Sequence, residues 1–210
     1  MMKFIPYLAG GWVVALLSGC QPLASASANG EAATVANTLT LVVDGHSQTL
    51  SSAPADEVVT AGIIGGSGHF SLSGMSKSKD VSFAIICRTG PLRAGGTYAV
   101  YTCLRPTSRC DNEEREHAGS EGAVITSYPT GTPPAGELAY NAPELGLRPL
   151  TLRIESVTDE NVPGVGPTKR VKGAFEGTLA DVEGIPGTHD YRVVKRVAVA
   201  GVFNSWCVTR

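Results

Sequence analysis

Between Leu150 and Val157 the side chains alternate strictly, with Leu150, Leu152 and Ile154 set against Thr151, Arg153 and Glu155. Successive side chains of an extended strand point to opposite faces, so this pattern marks a strand with one buried face and cannot be drawn on a helix of period 3.6. The stretch from Lys169 to Ala180 repeats it, with Val171, Phe175 and Leu179 facing inward and Lys172, Glu176 and Thr178 outward. A chain built from such segments has to make sheets.

The remaining strand candidates are short and separated by turn residues. Thr38–Val43 alternates, with Leu39, Leu41 and Val43 on one face. Asp44-Gly45 follows, a strong hairpin signal because a two-residue turn needs positive φ at both positions, and His46–Leu50 returns. Ser51–Asp56 is a loop, Val58–Ile64 a strand ending at Gly65-Gly66, and His69–Ser73 another. Val81–Arg88 presents Val81, Phe83, Ile85 and Cys87 on one face. After a turn over Gly90–Gly96, Thr97–Leu104 reads as a strand buried on both sides. Arg105–Gly122 is a charged loop and Ala123–Tyr128 a strand, while Pro129–Arg148 is the longest irregular stretch. Tyr191–Ala200 and Gly201–Val208 complete the set. With 25 glycines, 13 prolines and no amphipathic helix after the first 20 residues, eight to ten strands predict an all-β fold. The expected architecture is an antiparallel β-sandwich, or a partly open barrel, forming a single domain over residues 38–210 on a flexible N-terminal tether.

The first 19 residues are of another kind. Lys3 precedes an apolar run from Phe4 to Leu17, broken by Pro6, Gly10 and Gly11, and small residues follow. This is the layout of a secretory signal peptide, and the run is shorter than the roughly 20 apolar residues a membrane-spanning helix needs. Leu17-Ser18-Gly19-Cys20 resembles the lipobox of bacterial prolipoproteins, an aliphatic residue and two small ones before a cysteine. The resemblance covers residues 1–20. It implies cleavage before Cys20, a diacylglyceryl group on the Cys20 thiol and a third, palmitate-class acyl chain on the new amine. Each buried methylene contributes about 0.8 kcal/mol, so three chains would hold the protein to its membrane permanently. Gln21 stands where many members of that family carry an inner-membrane retention aspartate, which implies the outer membrane. Residues 20–37, rich in Ala, Ser and Asn, read as a lipidated flexible tether with a reach of about 20–25 Å.

Three short motifs in the body, Gly96-Thr97-Tyr98, Val171-Lys172-Gly173-Ala174-Phe175 and Val199-Ala200-Gly201-Val202-Phe203, resemble small β-sandwich lipoproteins of Gram-negative bacteria. That likeness implies a fold and no activity.

With Cys20 assigned to lipid, Cys87, Cys103, Cys110 and Cys207 remain, and an even number in an exported protein reads as two disulfides. Three pairings exist. Cys103–Cys110 would close a local loop, and Cys87–Cys207 would tie the last strand to a central one; these are the expected pairs. No CxxC pair or adjacent histidine suggests zinc.

Other chemistry is sparse. His46, His69, His117 and His189 sit singly near turns or edges and read as solvated. Gly65-Gly66-Ser67-Gly68-His69 has a hydrolase-like look, but its register differs from GxSxG and no helix follows, so a hairpin turn is expected. Asp111, Asn112, Glu113, Glu114 and Glu116 lack the spacing of a calcium loop and read as a solvated surface. Lys169, Arg170, Lys172, Arg192, Lys195 and Arg196 would form a basic stripe if their two strands paired in step. A polar outer face is the plainer reading. The net charge of −2 gives no basic footprint for nucleic acid. The expectation is therefore no enzyme, metal or cofactor. A lipid-anchored envelope protein should present a β-sandwich for binding or structural support, with an envelope protein or a glycan as its partner. An accessory subunit of an envelope secretion or assembly complex, docking through residues 129–148, is one alternative, and an envelope-polymer hydrolase another.

Overall fold

The computed structural model describes residues 35–53, 57–64, 68–78, 80–100, 122–128, 145–188 and 191–209, all within one compact unit. The readings at Cys20, Cys103, Cys110, His117, His189, the acidic cluster and most of the 129–148 loop lie outside these residues.

The body is all-β. Among the described residues ten strands follow in order: β1 Thr38–Val43, β2 His46–Ser51, β3 Val58–Ile64, β4 His69–Met75, β5 Ser82–Arg88, β6 Thr97–Val100, β7 Gly122–Ser127, β8 Leu150–Val162, β9 Gly166–Gly184 and β10 Tyr191–Thr209. They form one open mixed sheet in the order β6-β8-β9-β10-β3-β4-β5-β7, with the β1–β2 hairpin attached to β10 through β1. Asp44 and Gly45 have φ of 48° and 82°, as the two-residue turn requires.

Two features depart from the expected antiparallel plan. First, β3 runs parallel to β10, pairing Ala61–Ile63 with Cys207–Thr209. β1 occupies the same edge of β10 from Val199 to Asn204 and stops there, which leaves the last rungs open to β3. Second, residues 191–209 form one strand of 19 residues instead of two. Gly201 does not break it. A glycine inside a strand often marks a close approach, and here the Phe175 ring from the facing position of β9 fills the space above Gly201.

The core shows how the sheet folds over itself. β9 and β5 lie four ladder steps apart, about 19 Å along a flat sheet at roughly 4.8 Å per step. Yet Phe175 and Phe83 stack with ring centroids 4.8 Å apart and planes 10° apart. Phe203 and Phe70 meet similarly at 5.8 Å. The curled sheet therefore encloses a single apolar interior, which includes Leu39, Leu41, Leu50, Leu72, Ile85, Leu152 and Ile154. The hairpin β1–β2 closes over β4, where Gly74 leaves room for Leu39 and Leu50; a Cβ on Gly74 would stand 3.0 Å from Leu50 Cδ1.

Candidate functional site

The chain enters the body through a buried polar cluster. Asn37, 2% exposed, sits just ahead of β1. Its N–H donates to Ser52 Oγ at 2.9 Å and its Nδ2 to the Val59 carbonyl at 3.0 Å. Its Oδ1 accepts from the Trp206 N–H at 2.9 Å and from Arg170 Nη1 at 3.2 Å. Arg170 continues the cluster: Nη2 donates to the Val35 carbonyl at 2.9 Å, and Nε and Nη2 take the two oxygens of Glu160 at 2.7 and 2.8 Å. A buried guanidinium is tolerable only when its donors are satisfied in this way. The body therefore begins before Thr38, and Asn37 belongs to it instead of to the tether.

At the other end of β10 the sheet narrows to two strands. Pairing of β8 with β9 ends at Thr151–Glu176, and pairing of β1 with β10 ends at Val43–Val199. Among the described residues, Gly177–Gly184 and Tyr191–Val197 form ladder pairs only with each other, while Ala198 still bonds to Asp44. The root of this ribbon is covered, with Leu179, Ala180 and Val197 buried. Beyond the root the ribbon is exposed and carries three of the five exposed large apolar side chains among the described residues: Ile185, Tyr191 and Val194, at 38%, 40% and 58%. The register shifts between Val193 and Lys195, and this bulge turns Val194 outward. Arg192, Lys195 and Arg196 flank the apolar groups. Arg192 meets Glu183 at 2.6 Å, an exposed pair that contributes little to stability.

The expected basic stripe is not continuous. In the β9–β10 ladder Lys169, Arg170 and Lys172 face Cys207, Trp206 and Asn204, whereas Arg192, Lys195 and Arg196 lie at the ribbon end opposite Glu183, Asp181 and Ala180. The two groups occupy opposite ends of the strands. Arg170 is buried, and Lys169 is bound to Asp159 at 2.7 Å, a bond and charge that hold the Asp159 carboxyl below its usual range.

Cys87 and Cys207 are both buried but not joined to each other; no disulfide links two of the described cysteines. The expected Cys87–Cys207 pair is therefore absent from the structure, although both side chains belong to the same apolar core. His69 is also corrected: it is buried at the start of β4 instead of solvated, while His46 is exposed. Gly68 and His69 belong to the β3–β4 hairpin, as the turn reading expected, and the Gly68 carbonyl accepts from the N–H groups of Thr89 and Gly90. Among the described residues no three His, Cys, Asp or Glu side chains gather as metal ligands would.

Sequence reasoning missed the Asn37–Arg170–Glu160 cluster. Arg170 is out of phase with Val171, Gly173 and Phe175, so alternation assigned it to a solvated face. The one available signal was its placement with Glu160 on either side of the β8–β9 turn.

In comparisons with known proteins the chain matches no family model, no curated protein and no solved structure.

Proposed function

We propose that this chain is a non-enzymatic, lipid-anchored protein of the bacterial outer membrane, held by acyl chains on Cys20, that presents the β9–β10 ribbon to an envelope partner. One observation carries the reading: the point where the chain enters the body and the exposed end of the ribbon lie at opposite ends of β10. From Asn204, which faces Thr38, to Tyr191 the strand runs about 13 residues, or some 40 Å at roughly 3.3 Å per residue. A body anchored ahead of Val35 would hold Ile185, Tyr191 and Val194 away from its membrane. Aromatic and arginine side chains such as Tyr191 and Arg192 are also those enriched where proteins meet.

The test is photo-crosslinking in whole cells with a photoreactive residue at position 191 or 194, and at position 47 on β2 as control. A discrete adduct formed from the ribbon positions, dependent on Cys20 and absent from position 47, is the expected result. Equal labelling from all three positions, or adducts unaffected by Cys20→Ala, would contradict the proposal.

A further inference from the structure

The cluster at the chain's point of entry has a mechanical consequence, and it rests on the reading that the chain ahead of Val35 leads to an anchor. We infer that Asn37 and Arg170 form a clamp through which a pull on that chain is carried by the β1–β10 ladder in shear. β1 runs from its entry at Thr38, opposite Asn204, toward Val43, opposite Val199, and the ribbon continues in the same direction. A force between the anchored chain and the ribbon therefore acts along β1. Every rung from Thr38 to Val43 on the β10 side is loaded together.

Before that force reaches β1 it meets the clamp. Pulling Val35 outward strains its carbonyl against Arg170, which is fixed to β8 through Glu160. Pulling Asn37 strains bonds to β3, to β10 and to Ser52 just beyond β2. Charge-assisted and bidentate bonds are the stronger class, and here the guanidinium is buried while Glu160 is partly exposed. A force applied between the two chain termini acts differently. Thr209 lies near the entry point, at the same end of β10 as Asn204, so β1 would be peeled from that end one rung at a time.

Single-molecule pulling on the mature chain separates these cases and needs neither lipid nor partner, so its outcome is independent of whether a partner is found. One handle is placed at residue 20 and the other at position 186 in the ribbon turn or at residue 210. The expected unfolding force is severalfold higher for the 20–186 pair than for the 20–210 pair. Arg170→Gln, or Glu160→Gln as the milder change, should lower the first force by more than the second. Equal forces in the two geometries for the unsubstituted chain would overturn the inference. So would variants that weaken both geometries alike, because general destabilisation would then account for the effect.

Discussion

The ring of Phe203 occupies the place that a side chain on Gly173, its partner across the β9–β10 ladder, would take: a Cβ there would stand 2.6 Å from Phe203 Cζ. Two rungs away the relation is reversed, with Phe175 over Gly201. Each ring is then covered from the other side, Phe203 by Phe70 and Phe175 by Phe83. Two glycines thus let two aromatic rings lie close to the sheet, and the rings give the opposite part of the sheet a surface to pack on.

Gly173→Ala should destabilise the body by about 1–3 kcal/mol through overpacking, since the new Cβ would press on the Arg153 carbonyl oxygen as well as on the ring. Phe203→Ala, which leaves a cavity, should cost roughly 3–5 kcal/mol. Urea unfolding monitored by circular dichroism measures both. A neutral Gly173→Ala would mean that both the ring and the Arg153 backbone give way.

Tyr128 follows β7 and reaches the β1–β2 hairpin, where its hydroxyl donates to the carbonyls of Leu41 at 3.1 Å and His46 at 2.6 Å. Burial raises its pKa above the ordinary tyrosine value. The folded state therefore holds this proton more tightly than the unfolded chain does. Its contribution is complete below the unfolded pKa and is lost as pH rises through the raised folded value. Tyr128→Phe should cost about 1 kcal/mol near neutrality and flatten the alkaline fall in stability. Chemical denaturation across the alkaline range would show both effects.

At the opposite limb, Asp80 accepts hydrogen bonds from Ser76 and Ser78, which lower its pKa. A depressed carboxylate stabilises the fold above its unfolded pKa, and that contribution disappears as pH falls through the folded value. In a carbon-detected NMR titration Asp80 should titrate below a free aspartate. Ser76→Ala should move it back toward the ordinary value.

Much of the fold was legible because the strands carry their own punctuation. The Asp44-Gly45 turn, the strand Val58–Ile64 and the alternation of Leu150–Val157 each depend on neighbouring residues alone, and the structure has all three. What alternation could not supply was pairing at a distance. Nothing local says that β3 joins the end of β10, or that Gly201 is spanned and not a break, because both depend on what β1 leaves uncovered and on where Phe175 lies. The same limit affected the charges. Six cations on two strands suggested a stripe, but the register of the β9–β10 ladder sends them to opposite ends and buries Arg170.

The cysteines meet the same limit: Cys87 and Cys207 lie in one apolar core, and no disulfide joins them. Peptide mapping of the non-reduced protein should yield no Cys87–Cys207 linked peptide. Finding that peptide in quantity would restore the pairing read from the sequence.

Asn37→Ala should destabilise by roughly 2–3 kcal/mol, because the Trp206 N–H, the Val59 carbonyl and one donor of Arg170 lose a buried partner. Arg170→Met, which strands Glu160 and the Val35 carbonyl as well, should cost about 3–5 kcal/mol. Thermal or urea unfolding of the two variants gives the comparison.

The separation of entry point and ribbon is the claim on which the functional reading depends. It can be measured as a pulsed electron–electron distance between nitroxide labels at positions 38 and 191 of the mature chain. The account predicts a single population near 40 Å, the length of β10 between those levels. A dominant distance below about 20 Å would place the ribbon beside the chain's entry point, on strand spacings of this size, and would contradict the account.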